Sequence, residues 1–217
     1  HAGLVFGLFT LTWLISGLFS VNPWGALEGR DYFEESQRLR GATLEFEDIQ
    51  GFISSLPGNY ISGSTVRLEG SLVDGQLNLV ASDSEGIRVR LQGDSFIPAP
   101  LPEDFFTRAG HLIRPGTPVR NSNWITTGDA YYFNHHEARP FPVYRIEYDD
   151  GERIYLDSVS GEFAFAVDRE RQWLRWIFHA LHRGDFSRLI RKRPIWDFLM
   201  WPLMLGVTVG VLSGTWM

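Results

Sequence analysis

The chain has 217 residues, with 26 Asp and Glu against 20 Lys and Arg, and it contains no cysteine. This mildly acidic balance gives no reason to expect a nucleic-acid partner. The lack of cysteine excludes disulfides, thiolate metal sites, iron–sulfur clusters and thiol nucleophiles.

Residues 1–22 are predicted to form a first transmembrane helix. The run 2–21, AGLVFGLFTLTWLISGLFSV, carries no charge, and about 20 helical residues cover the roughly 30 Å hydrocarbon core of a bilayer. A secretory signal peptide is the alternative, but its apolar core is only about 7–15 residues long. The Asn22-Pro23 stop and the interface-type Trp24 also favour a membrane span.

A first α+β unit is predicted over residues 23–97. Its helix, 45–57, has Phe46, Ile49, Ile53 and Leu56 at helical spacing. Three runs with alternating apolar and polar residues predict strands and are separated by turn residues. These strands cover 64–73, 76–82 and 86–93.

A second, similar unit is predicted over residues 98–167. Its helix, 102–113, turns Phe105, Phe106, Ala109 and Leu112 inward. An Asp-Gly turn predicts a hairpin between the last two strand runs. The strand runs cover 129–136, 141–150 and 152–167. A helix followed by about three antiparallel strands, present twice, predicts the α+β class.

Residues 168–184 are predicted to form an amphipathic helix at the membrane interface. Asp168 can cap this helix and Gly184 can end it. Its apolarity is too low for a span, whereas Trp173 and Trp176 beside arginines suit a membrane surface.

A basic connector, 185–194, leads to a second transmembrane helix, 195–217. Its basic residues are expected to contact anionic headgroups. Pro202 is tolerable within a span, and Gly206 and Gly210 have the spacing that allows close helix approach. The four connector residues are Arg188, Arg191, Lys192 and Arg193.

Two spans place the intervening α+β body on one side of the membrane. A simple positive-inside interpretation of the connector would make that side cytoplasmic. Long domains translocate largely regardless of charge, so the charges alone leave the side open.

The chain resembles the PepSY-associated transmembrane proteins of bacteria. The resemblance is carried by DAYYFNHHEARPFPVYRIEYDDGERIYLDSVSGEF in 129–163, by RWIFHALHRGDFSRLIRKRPIWDF in 175–198, and by the first span with His1 before it. The first α+β unit matches only in its pattern. The resemblance implies a multi-pass inner-membrane protein with two PepSY-like units on the periplasmic side.

The resembled family includes membrane reductases that hold b-type haem between histidines and help to reduce iron–siderophore complexes. Other members have no assigned activity, and PepSY units resemble the propeptides of thermolysin-type proteases. The first function hypothesis is therefore a haem-binding electron-transfer component of a membrane reductase that serves iron uptake. The alternative is a non-enzymatic anchored module that binds a peptide, a protein partner, a second copy of the chain or another ligand.

Three histidines are candidate haem ligands. His182 matches the family's Leu-His position, His1 matches the histidine before the first span, and His179 lies one helical turn from His182. A span separates its ends by about 30 Å, so His1 and His182 cannot grip one haem. The alternative interpretation is that these are polar side chains facing headgroups.

His135 and His136 are a candidate metal site. Neighbours on a strand point to opposite faces, so both could bind one ion only where the chain turns. Asp129, Tyr131 and Glu137 could add oxygen ligands, and ordinary polar loop residues are the alternative. The sequence contains no Ser-His-Asp order, phosphate-binding glycine loop or H-E-x-x-H motif.

Overall fold

The computed structural model confirms the α+β class, with apolar helices near both termini. The chain divides into two compact units. The helical unit comprises residues 1–30 and 167–217, and the sheet unit comprises 31–166. The structure describes residues 2–55, 64–92, 96–134, 138–187, 190 and 193–216.

The helical unit contains two helices that are long and apolar enough to cross a membrane. Only 6% of each apolar window is buried, so neither is a core helix of this chain. A Cβ on Gly206 would collide with the Phe6 ring, so the glycine lets the helices approach closely; Gly210 has no such neighbour within 4 Å. The elements are α1 (Ala2–Ser20), a 3₁₀ turn (Pro23–Gly25), α5 (Arg169–Leu174), a π-helical segment (Arg175–His182) and α6 (Ile195–Trp216).

The sheet unit holds two antiparallel sheets whose strands are neighbours in chain order. Sheet A comprises β1 (Thr65–Val73), β2 (Gln76–Asp83) and β3 (Arg88–Gln92). Sheet B comprises β4 (Val119–Ile125), β5 (Val143–Tyr148), β6 (Arg153–Asp157) and β7 (Phe163–Val167). The predicted hairpin between β5 and β6 is present, with Gly151 at positive φ in its turn.

Three helices accompany the sheets: α2 (Phe33–Arg40), α3 (Phe46–Ser55) and α4 (Glu103–Ile113). The apolar face of α4 packs into the core of the sheet unit through Phe105, Phe106 and Ala109, as predicted. Leu112 was wrongly assigned to that face: it is 41% exposed, whereas Ile113 is fully buried.

The predicted strand at 129–136 is wrong over the part that the structure describes, 129–134, which forms bends. The Asp129 carboxylate accepts the backbone N–H groups of Tyr131 and Tyr132 at 2.9 and 2.8 Å. Such a local side-chain bond favours a turn over a strand. The edge of β5 that does not pair with β6 pairs instead with β4. The polar sequence of β4, VRNSNWI, lacks a clear alternation.

Helix α3 forms where it was predicted, but no residue within it is buried. Phe46, Ile49 and Ile53 are 72%, 39% and 59% exposed. Leu56, the fourth apolar position, lies outside the described residues. The amphipathic pattern therefore marks the helix correctly without producing a closely packed helix–sheet core.

Candidate functional site

His182 lies in an aromatic sandwich within the helical unit. Its ring stacks on Trp13 of α1, with centroids 5.0 Å apart and planes 3° from parallel, and on Phe178, with centroids 5.2 Å apart. A Cβ on Gly17 would come within 3.1 Å of His182 Cε1, so a glycine on α1 makes room for the ring. The predicted interfacial segment therefore packs against the first apolar helix.

Two polar contacts orient the ring of His182 through its Nδ1 atom. Its Nδ1 lies 3.2 Å from the Trp13 carbonyl oxygen and 3.4 Å from Ser16 Oγ. A carbonyl can only accept, so this contact is a hydrogen bond when Nδ1 carries the proton, and Nε2 is then the nitrogen left for another partner. Imidazoles that bind metals commonly have this arrangement, with one nitrogen donating to a carbonyl and the other binding the ion.

Two tryptophans, one on each apolar helix, hold the end of the π-helical segment. Trp13 Nε1 donates to the His182 carbonyl at 3.0 Å, and Trp196 Nε1 donates to the Arg183 carbonyl at 2.8 Å. Carbonyls at a helix C-terminus lack intrahelical partners, so these indoles satisfy two of them. Gly184, at φ 69°, ends the segment as predicted.

The residues present fit one haem ligand and not two. His1 lies outside the described residues, and His111 belongs to the sheet unit. His179 is on the same short segment as His182, where the wider π-helical turn separates positions three residues apart more than an α-helix does. A bis-histidine haem is therefore not completed by the described part of the helical unit.

Sheet A presents a leucine face that is incompletely covered. The side chains of Leu68 and Leu72 on β1 and of Leu77 and Leu79 on β2 lie on one face, as the strand register shows. On the opposite face, Val73 packs into the hydrophobic core that also contains residues of sheet B. Ser71 Oγ, on the same face, donates to the Ser160 carbonyl at 2.9 Å.

A cavity of about 650 Å³ separates this leucine face from α3. Ile49, Phe52 and Ile53 of α3 line its other side. The volume falls in the range of small-ligand sites, about 300–1,000 Å³. We call this cavity the sheet A groove. A neighbouring cavity of about 410 Å³ shares Leu68 and continues over the same sheet.

Polar side chains line the sheet A groove mainly at one end. Gln37 and Arg40 of α2 lie there, together with Glu162 from the turn between β6 and β7. Burial raises the pKa of Glu162, and a hydrogen bond from the Leu72 N–H and the nearby Arg40 charge oppose that rise only in part. This carboxylate is thus incompletely stabilised in its charged form.

Asp129 lies in a closed network and not in a metal site. Its Oδ2 accepts from Tyr155 Oη at 2.7 Å and from Arg145 at 3.0 Å, while Oδ1 accepts two backbone N–H groups. Burial alone would raise the pKa of Asp129, but these four hydrogen bonds outweigh it and lower the pKa. With its acceptor positions used, Asp129 cannot also ligate a metal as the sequence suggested.

The paired histidines His135 and His136, with Glu137, lie outside the described residues. Within the described ranges, no group of three or more His, Asp or Glu side chains could hold a metal ion. Tyr131 lies instead under the Arg153 guanidinium, 4.8 Å from its ring centroid.

The predicted membrane-surface residues are only partly described. Trp173 and Trp176 are 52% and 42% exposed, and the Arg193 side chain is 79% exposed. Exposure is what contact with headgroups requires, and that contact stays a prediction. Arg188, Arg191 and Lys192 lie outside the described residues.

Comparison with known proteins gives no assignment, since no protein-family model, curated protein or solved structure matches the chain.

Sequence reasoning missed the groove and the partners of His182. The groove arises because α3 stands off the sheet, and its amphipathic pattern resembles that of the closely packed α4. Trp13 and Ser16 are separated from His182 by more than 160 residues. A signal was present in both cases, as Gly51 weakens α3 and Trp13 is the single tryptophan in the sequence of the first span.

Proposed function

We propose that this protein is a membrane-anchored binding module whose ligand site is the sheet A groove. The observation that carries the proposal is a 650 Å³ cavity between two apolar surfaces, roofed by a helix with no buried residue. Two helices apolar enough to cross a bilayer supply the anchor. Concave, mostly apolar cavities with a few polar groups at one end are typical binding sites.

The chemistry of the groove favours binding over catalysis. Among the described residues that line it, Glu162 and Arg40 are the charged side chains, and none is a histidine or a serine. A nucleophile paired with a base is therefore not assembled there. The resemblance to PepSY proteins supports the same proposal, because PepSY units resemble protease propeptides, which act as inhibitors or chaperones.

The groove is tested with Nile red and the full chain in lipid nanodiscs. We expect saturable binding above that of empty nanodiscs, lost in Gly70→Phe because that ring would fill the groove. Arg67→Phe is the matched control, as it adds the same ring to the opposite face of β1 at an exposed side chain. Equal binding by wild type and Gly70→Phe, or none above empty nanodiscs, would overturn the proposal.

We place the sheet unit on the periplasmic side of a bacterial inner membrane, following the resemblance. The lack of cysteine makes this testable by a single substitution. Glu85, exposed in the turn between β2 and β3, is changed to Cys. A membrane-impermeant maleimide added to cells with a permeabilised outer membrane should label this variant, whereas labelling only after the inner membrane is disrupted would place the unit in the cytoplasm.

A second candidate function is electron transfer through a b-type haem ligated by His182. The observation that favours it is the 3.2 Å contact between His182 Nδ1 and the Trp13 carbonyl oxygen, which leaves Nε2 as the nitrogen that could bind iron. Haem would supply one-electron chemistry, and a second axial ligand would come from outside the described residues. His1 and His179 stay secondary candidates, and reduction of an iron–siderophore complex is the activity proposed with it.

The haem proposal is tested by the visible spectrum of the full chain, purified in detergent after haem supplementation. A Soret band is expected, lost in His182→Ala and kept in His111→Ala, whose exposed side chain lies in the sheet unit. A chain without a Soret band, or a band unaffected by His182→Ala, would reject ligation by His182.

A further inference from the structure

The free edge of β1 lies beside the sheet A groove. In sheet A, β1 pairs with β2 on one side, and the described residues provide no strand on its other side. The outer strand of a sheet carries N–H and C=O groups that can pair with another chain. Such pairing is the basis of peptide recognition by strand addition.

The β1–β2 turn determines which backbone groups point outward. Asp74 and Gly75 both have positive φ, 54° and 74°, which defines a two-residue type I′ turn closed by the pair Val73–Gln76. Hydrogen-bonded and non-hydrogen-bonded pairs alternate along an antiparallel ladder. Leu68, Gly70 and Leu72 therefore direct their N–H and C=O groups away from β2.

The outward groups and the groove belong to the same residues. Leu68, Gly70 and Leu72 also line the sheet A groove. One end of this edge already has a partner, since the Leu72 N–H donates to the Glu162 carboxylate. This contact shows that the edge accepts a polar partner at Leu72, and it marks where an added strand would end.

The edge is protected on one face only, because the charged residues of β1, Arg67 and Glu69, lie on the face opposite the groove. Exposed edges usually carry proline, lysine or a bulge. The β1 ladder has an irregularity only at its start, between Thr65 and Arg67. Between Leu68 and Leu72 the register is regular, and Gly70 leaves the outward face open.

Charge indicates what kind of strand would fit. Residues 31–166 contain 21 Asp and Glu against 11 Arg, so the sheet unit is strongly acidic. Two copies of this unit would repel each other, whereas a basic partner would be attracted. A cationic residue reaching the polar end of the groove would also compensate the Glu162 carboxylate.

We infer that the β1 edge binds an extended basic peptide segment of another protein, which adds to sheet A as a fourth strand with alternate apolar side chains in the groove. This inference rests on the proposed function and specifies its ligand. The added strand runs antiparallel to β1, so the residues that face the groove are also those whose N–H groups face β1. Backbone bonds give affinity and the leucine face selects the side chains.

The test uses a peptide of about ten residues, the upper range of strand length, with alternating leucine and lysine. Binding to the full chain in zwitterionic nanodiscs is measured by fluorescence anisotropy. Two further peptides carry N-methyl groups either on the leucine amides or on the lysine amides. Leucine methylation should weaken binding by at least about tenfold, because several backbone hydrogen bonds are lost, and lysine methylation should have little effect.

A protein variant probes the same bonds from the other side. Gly70→Pro removes an outward N–H without breaking the β1–β2 ladder, and proline is tolerated on edge strands for that reason. Gly70→Ala keeps the N–H, and its Cβ would lie 3.6 Å from Leu77 Cδ1, an ordinary contact. We expect peptide binding to fall about tenfold or more in Gly70→Pro and to persist in Gly70→Ala.

Nile red binding separates the failure of this inference from the failure of the proposed function. If Nile red binds but both methylated peptides bind equally, the groove is a ligand site and strand addition is wrong. If neither Nile red nor the peptide binds, the groove proposal itself fails. A dimer of the chain that Gly70→Pro disrupts would show that a second copy occupies the edge, which would overturn the choice of partner.

Discussion

Helices α3 and α4 begin from similar sequence patterns and end in different packing. Both are short, acidic in their first turn and amphipathic, and both precede an antiparallel sheet. Helix α4 buries Phe105, Phe106, Ala109 and Ile113 to 3% exposure or less, whereas α3 buries nothing. A cavity therefore lies between α3 and sheet A, whereas α4 packs into a hydrophobic core with residues of sheet B.

Helices α4 and α3 differ in the contacts that hold them against their sheets. Helix α4 is fixed by interlocking rings, with Phe106 meeting Trp124 edge-to-face at 4.7 Å, and by Tyr148 Oη donating to the Gly110 carbonyl at 2.8 Å. Helix α3 contacts its sheet through Ile49, Phe52 and Ile53 across a cavity. A region with few buried contacts opens at low free-energy cost, which suits ligand entry.

The largest predicted difference is between two phenylalanine truncations. Phe106→Ala removes a ring that is 2% exposed and should lower the free energy of opening of β5 and β6 by about 3–5 kcal/mol. Phe52→Ala, on the open side of the groove, should cost less than about 1 kcal/mol. Hydrogen exchange by mass spectrometry on the full chain in nanodiscs measures both. A large global loss in Phe52→Ala would mean that α3 is a structural helix after all.

A second prediction tests the polar network that supports sheet B. Asp129→Asn keeps an acceptor for the two backbone N–H groups but removes the charge facing Arg145, so we expect a loss of about 2–3 kcal/mol at pH 7. Because its folded pKa lies below the unfolded value of about 3.9, Asp129 stabilises the fold above that pH. The contribution disappears as pH falls through the folded pKa.

Hydrogen exchange cannot be compared simply across pH, so thermal unfolding followed by near-ultraviolet circular dichroism measures this dependence. The gap in Tm between wild type and Asp129→Asn should narrow below about pH 4. Asp149→Asn is the control, since its pair with Arg120 is 55% exposed on both sides and should contribute less than about 1 kcal/mol. A constant gap from pH 7 to pH 3 would contradict the assigned role of the Asp129 charge.

The fold was predictable where periodicity and turn chemistry agree. Hydrophobic spacing identified α3 and α4, and Asp150-Gly151 identified the β5–β6 hairpin, because these signals are local. The strand expected at 129–134 failed since Asp129 bonds its own neighbours, and β4 was missed since its polar residues hide the alternation. The first error comes from a local side-chain hydrogen bond, which a pattern of apolar and polar residues does not represent.

The candidate sites were predictable only as single residues. His182 could be chosen from the sequence, but the orientation of its ring depends on a carbonyl in α1 that is distant in the chain. The groove depends on how closely a helix approaches a sheet, which is a property of packing volume and not of pattern. Composition showed only the mild acidity of the whole chain, and its concentration in residues 31–166 emerged once the structure delimited the sheet unit.

The smallest expected effects come from one substitution made in both helices, with opposite signs. Gly51→Ala adds a Cβ that meets nothing within 4 Å, so α3 should gain about 0.5–1 kcal/mol from higher helix propensity. In Gly110→Ala the Cβ would lie 3.2 Å from Val119 Cγ2 and 3.4 Å from Ile146 Cγ2. Ile146 is 1% exposed and has little room to move, so overpacking should outweigh propensity and cost about 1 kcal/mol. Exchange should therefore slow about two- to fivefold in α3 of the first variant and quicken in α4 of the second. Equal gains in both helices would mean that α4 is packed as loosely as α3, and the contrast on which the groove proposal depends would be lost.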